Sequence, residues 1–128
     1  MTSLKPSDLP AYWEFILPTV AAVAALGKSA TVNEISDRVL ADLHPSEDML
    51  AVTYANNSNK PVYTDRMAWG RSYAKSIGAL ESPKRGVFLL TQLGADLLAL
   101  SETEAIARVV ELDREFRRRR LEEREAAS

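Results

Sequence analysis

Apolar positions recur at helical spacing in several stretches, each bounded by a capping or breaking residue. Trp13, Ile16, Leu17, Val20, Val23 and Leu26 predict a first helix from about Leu9 to Leu26, with Ser7 or Asp8 able to cap it. Pro18 lacks a backbone donor, so the helix kinks there or restarts with Pro18 in its first turn. Gly27 suits a left-handed helix ending, and Lys28–Ala30 reads as a short strand. Thr31-Val-Asn-Glu34 is a capping-box pattern that opens a second helix to about Leu43, with Ile35, Val39, Leu40 and Leu43 on one face. His44-Pro45 ends it, with the histidine ring placed to bond the last carbonyls, and Ser46 starts a short helical piece to about Val52. Asn56–Pro61 reads as a loop by composition.

A third helix is predicted from Val62 to Ile77, ended by Gly78. Tyr63, Met67, Trp69, Tyr73, Ala74 and Ile77 fall on one broad side, and Thr64, Ala68, Arg71, Ser72 and Lys75 on the other. Ala79–Ser82 and Val87–Leu90 read as strands around a four-residue turn, Pro83–Gly86. Thr91 caps a fourth helix to about Leu100, and Ser101-Glu-Thr-Glu104 is a second capping box that starts a long charged helix. The resulting fold class is mainly α with a small β-hairpin: a winged helix-turn-helix over residues 1–100, plus a charged C-terminal helix over 101–128. In that plan the third helix enters a groove and the hairpin forms the wing.

Composition narrows the chemistry. The chain has 128 residues, one His and no Cys, which leaves no disulfide, thiolate cage or cysteine nucleophile; no metal or cofactor is expected. No apolar run approaches the roughly 18 to 20 residues that span a bilayer, so the expectation is a cytoplasmic protein without a membrane partner. The net charge of −2 conceals a strong asymmetry. Residues 1–59 hold three basic against seven acidic residues, 60–86 six against two, and 87–128 seven against nine. The middle segment is therefore a basic island of +4, the local concentration that a phosphate-facing patch needs.

Tyr63-Thr-Asp-Arg-Met-Ala-Trp-Gly-Arg71, then Ile77-Gly-Ala-Leu-Glu-Ser-Pro-Lys-Arg-Gly86, and Leu90-Thr-Gln-Leu-Gly94 carry a resemblance. Together with the Leu17-Pro18 step, they resemble the N-terminal domain of Mrr-type restriction endonucleases over roughly residues 10–100. That family shows an Arg and Trp-Ala-Arg, an Ala-Gly-Leu-Leu, a Pro-x-Arg-Gly turn and a Thr-x-x-Gly helix start. Gly70 and Ile77-Gly-Ala depart slightly from it. The resemblance implies a DNA-recognition domain attached to a nuclease that cuts modified DNA; methylated DNA as the target rests on it alone. The PD-(D/E)xK chemistry needs a Glu-x-Lys to hold its metal, and none occurs here, so no catalysis is expected from this chain. It either belongs to a longer enzyme or binds DNA by itself.

The candidate DNA-binding residues are Thr64, Ala68, Arg71, Ser72 and Lys75 on the third helix, and Lys84 and Arg85 at the hairpin tip. Small neighbours allow close approach, Arg71 reaches a base edge or phosphate, and Lys75 a phosphate. The tip would follow the backbone or a minor groove. Arg66 is expected to pair with an acid on a neighbouring helix and stack on a ring, while Trp69 and Tyr73 are expected in the core. Arg117-Arg-Arg-Arg120 is flanked by acids at helical spacing and reads as a self-paired face. Ile106, Val109, Leu112 and Phe116 form a seam for the domain or for a second copy, making the helix a connector or dimer arm. The partner expected is double-stranded DNA. Two rival readings stay open: a stand-alone dimeric transcription regulator, and a winged-helix protein-interaction module that does not touch DNA.

Overall fold

Proline spacing decides how the chain enters the fold. A computed structural model describes residues 3–128. Helix α1 spans Ile16–Ala25, preceded by two 3-10 turns, Pro6–Asp8 and Tyr12–Phe15. A helix begun at Leu9 would require an N–H from Pro18 and would drive its ring into the carbonyl one turn back. The chain instead uses tight turns and restarts at Ile16, with Pro18 in the first turn. Asp8 therefore closes the first 3-10 turn, accepting the Lys5 N–H at 2.8 Å, rather than capping a long helix.

The remaining elements follow in order: β1 Ser29–Thr31, α2 Val32–Leu43, α3 Glu47–Ala51, β2 Thr53–Tyr54, β3 Asn57–Pro61, α4 Val62–Ser76, β4 Leu80–Lys84, β5 Val87–Leu90, α5 Gln92–Ala99 and α6 Glu102–Ala127. The third helix read from sequence is thus α4. The capping box of α2 forms as expected: Thr31 Oγ1 accepts the Glu34 N–H at 3.3 Å, and the Glu34 carboxylate accepts the Thr31 N–H at 2.8 Å. Those bonds hold the Glu34 carboxyl below its ordinary range. His44 ends α2 through its backbone, with φ 49° and its N–H on the Leu40 carbonyl. Ser46, Thr91 and Ser101 each accept the N–H three residues on and so cap α3, α5 and α6.

Strands β1, β5 and β4 form an antiparallel sheet in that order, with Ala30 opposite Phe88 and Leu80 opposite Leu90. The hairpin turn is tighter than the four residues expected. Lys84 pairs with Val87, so only Arg85 and Gly86 lie between, Gly86 at φ 81°. The difference is taken up by an irregularity between Glu81 and Lys84, where Ser82 Oγ donates toward the carbonyls of Lys84 at 2.9 Å and Val87 at 2.8 Å. Pro83 sits in that stretch on the outer strand, where its missing N–H is tolerated.

The Asn-rich stretch is not a plain loop: β3 pairs with β2, Thr53 opposite Pro61 and Tyr54 opposite Asn57. Side chains at its base tie it to α4. Tyr54 Oη donates to Asp65 at 2.6 Å, and Lys60 lies 3.3 Å from the same carboxylate. That bond, followed by burial, raises the Tyr54 hydroxyl above its usual range.

Phe15, Ile16, Val20 and Val23 meet Ile35 and Val39 of α2, Val62 and Ala74 of α4, Leu80, Leu97 and Val109 in one core. Helix α4 crosses the chain entry at Gly70, where a Cβ would lie 2.6 Å from Phe15 Cβ and 2.9 Å from the Tyr12 carbonyl. Gly70→Ala is therefore expected to destabilise the fold by about 1–2 kcal/mol, since crowding outweighs alanine's better helix propensity. A urea midpoint equal to or above wild type would contradict the packing described.

Helix α6 has 26 residues, about 39 Å at 1.5 Å per residue. Its first half packs on the domain through Ala105, Val109 and Asp113, so the predicted seam faces the fold, although Ile106 is exposed. Residues 118–128 are exposed. Among the described residues, no helix is long and apolar enough to cross a membrane.

Candidate nucleic-acid interface

Helix α4 buries Tyr63, Met67, Gly70 and Ala74, and Ile77 just past its end continues the stripe against α1 and the 3-10 turn before it. The opposite side presents Thr64, Ser72 and Lys75 to solvent, with Ala68 and Arg71 half-buried beside them. Burial pulls the Arg71 guanidinium below arginine's ordinary range, yet the group remains a cation at neutral pH. Lys84 and Arg85 are exposed at the turn between β4 and β5. The five helix residues therefore share one face, and the two hairpin residues share one tip. No hydrogen bond links the two groups among the described residues.

Arg66 serves the structure by a route the sequence does not reveal. Its Nη1 donates to the carbonyls of Pro6 at 2.9 Å, Pro10 at 3.1 Å and Leu9 at 3.2 Å. The expected partner is an acid; the actual partners are backbone oxygens of the entry segment, those of Leu9 and Pro10 lying between the two 3-10 turns and that of Pro6 also accepting the Leu9 N–H at 3.2 Å.

Trp69 corrects a second expectation. It is 52% exposed rather than in the core, because the buried stripe runs through Gly70, whose absent side chain left no apolar mark in the pattern. Tyr73 is half-buried between Tyr12 at 4.6 Å, Phe116 at 6.2 Å and Trp69 at 6.3 Å, measured between ring centroids. Helix α6 supplies the other wall. Phe116, Arg117, Arg120 and Arg124 face Trp69 and Tyr73 across a cleft of about 380 Å³. The run of arginines hid this: read as a block it looks solvated, whereas positions 117, 120 and 124 lie on one side of the helix.

Two pairs of the expected self-paired arginine run form on α6, those of Arg117 and Arg118, and a third forms earlier on the helix. Arg108 meets Glu111 at 2.8 Å, Arg117 meets Asp113 at 3.3 Å and Arg118 meets Glu122 at 2.9 Å. Asp113 is 3% exposed and also accepts from Tyr12 Oη at 3.2 Å. Burial first, then the Asp113 charge, raises the Tyr12 hydroxyl above its usual range.

Among the described residues, six helices, a three-stranded antiparallel sheet that includes the β4–β5 hairpin, and the short β2–β3 pair make a mainly α domain ending in the long helix α6. The sequence profile of the Mrr N-terminal domain matches residues 12–100, and the chain belongs to that family. This ties it to Mrr-like restriction systems. Comparison with curated proteins and with solved structures gives no match.

Proposed function

We propose that this domain recognises double-stranded DNA for an Mrr-like restriction system, α4 entering the major groove and the β4–β5 hairpin following the backbone. The observation that carries the reading is the single solvent face of α4, where Lys75 and half-buried Arg71 stand among Thr64, Ala68 and Ser72. Side chains that small let a helix seat closely, while a cationic pair on it meets phosphates and base edges. Lys84 and Arg85 add a second cationic contact from the wing. Cutting is assigned to a nuclease partner or a further domain, and methylated DNA as the target rests on family membership.

The test is fluorescence anisotropy of a labelled duplex across a salt series, with wild type and Arg71→Glu/Lys75→Glu. Wild-type binding is expected to weaken linearly in log–log form with salt. The variant, folded by circular dichroism, is expected to lose roughly thirtyfold in affinity and to show a shallower salt slope. Absence of binding by folded wild type at low salt would overturn the reading in favour of a protein-interaction module. A dimer that needs two half-sites would favour the transcription-regulator alternative.

A further inference from the structure

We propose that the cleft between α4 and α6 is a binding site for a single nucleotide, its base unpaired and stacked on Trp69 and its phosphate held by Arg120 and Arg124. The site adjoins the duplex-binding face, sharing Ser72 with it, and does not require Arg71 or Lys75.

Three features select this ligand. The first is an aromatic row open at one end. Trp69 stands 52% exposed, with Tyr73 behind it at 6.3 Å and Phe116 closing the far side edge-on to Tyr73. Flat rings of this kind give an unpaired base a surface that tolerates any sequence. The second is charge. Three arginines line the cleft and no carboxylate does. Arg117 is engaged by buried Asp113 at 3.3 Å, which fixes its position and offsets one charge. Arg120 lies over the Phe116 ring at 5.7 Å, and neither it nor Arg124 has an acid within ion-pair distance among the described residues. Two uncompensated, planar guanidinium groups suit phosphate oxygens better than a metal ion or a neutral solute.

The third feature is size and polar lining. About 380 Å³ falls within the range of small-molecule sites. Ser72 and Ser76 line the α4 wall, Ser76 Oγ donating to the Ser72 carbonyl at 3.1 Å. A bare phosphate would use the arginines and leave the rings idle, whereas an apolar peptide would use the rings and strand the charges. A nucleotide uses both. Its source is either a free nucleotide or an unpaired position in a DNA strand.

The experiment follows Trp69 emission in Trp13→Phe protein, in which Trp69 is the sole tryptophan. The ligands are dAMP, deoxyadenosine, inorganic phosphate and a single-stranded dA oligomer, with excitation at the red edge to avoid base absorption. Saturable quenching by dAMP marks a free-nucleotide site; saturation by the oligomer alone marks an unpaired nucleotide within a strand. Either result supports the proposal. Arg120→Gln/Arg124→Gln is expected to weaken that quenching roughly tenfold, and deoxyadenosine to bind wild type about as weakly. By calorimetry, Trp69→Ala is expected to weaken binding by about tenfold, the scale of a lost base–aromatic stack.

Arg71→Glu/Lys75→Glu is expected to keep the quenching within about twofold, so the loss of duplex binding and the loss of this site are separately visible. Two results would overturn the proposal: no saturable quenching by dAMP or by the oligomer at millimolar concentration, or quenching unchanged in folded Arg120→Gln/Arg124→Gln.

Discussion

Gly94→Ala is expected to destabilise the domain by about 3 kcal/mol, a large share of the roughly 5–15 kcal/mol that holds a domain folded. On an open helix the same change would help by about 1 kcal/mol. Here the added Cβ would fall onto the Ala79 carbonyl and stand 2.8 Å from Leu90 Cδ1. The carbonyl cannot retreat, since Ala79 leads into β4 and its oxygen accepts the Thr91 N–H at 3.3 Å. Thr91 also bonds the Gly78 carbonyl through Oγ1 at 2.5 Å while capping α5. Moving α5 outward would break both ties between that helix and the root of the wing. Urea unfolding should show a lower midpoint at unchanged slope. A midpoint at or above wild type would mean that α5 and β4 are farther apart than described.

Arg66→Met should cost nearly as much for the opposite reason, by removing partners rather than adding bulk. Methionine keeps much of the apolar stem but abandons the Pro6, Leu9 and Pro10 carbonyls now served by one Nη1. Bonds from a charged donor contribute about 1.5–3 kcal/mol each, though three sharing one nitrogen do not add, so a loss of about 3 kcal/mol is expected. Part of that loss should appear locally. Hydrogen exchange over residues 3–11 should rise more than in α2, whose capping box is untouched. Uniform loss of protection across both segments would show that Arg66 supports the whole fold rather than the entry segment.

What could be read from the chain alone was local. Thr31 with Glu34, Thr91 and Ser101 announce helix starts through contacts three residues long, and each forms the bond its spacing implies. Pro18 and Gly86 carry their meaning in their own backbone. The α4 face bearing Thr64, Arg71, Ser72 and Lys75 followed from helical period and lies where expected. Long-range partners stayed hidden. Arg66 bonds residues 56 to 60 positions away, and no periodicity encodes which carbonyls it will meet. Trp69 reads as core because a large apolar ring outweighs glycine in any hydrophobic pattern, although the close crossing at Gly70 sets how α4 is rotated. The Asn57–Pro61 strand was obscured by polar composition, its pairing being made by backbone groups and anchored through Tyr54 and Asp65. The arginines of α6 were visible, but the cleft they line exists only where α6 meets α4.

The displaced register of β4 has a consequence for how copies of this domain coexist at high concentration. The outer edge of a sheet offers unpaired amides to any extended chain that drifts past. On β4 that edge carries Pro83, which has no amide to offer, within a stretch where the ladder slips between Glu81 and Lys84. An incoming strand would find its spacing broken halfway along and a cation at the end, Lys84. The irregularity thus makes β4 a poor template for strand addition, so the hairpin can project into solvent without recruiting its neighbours into a growing sheet.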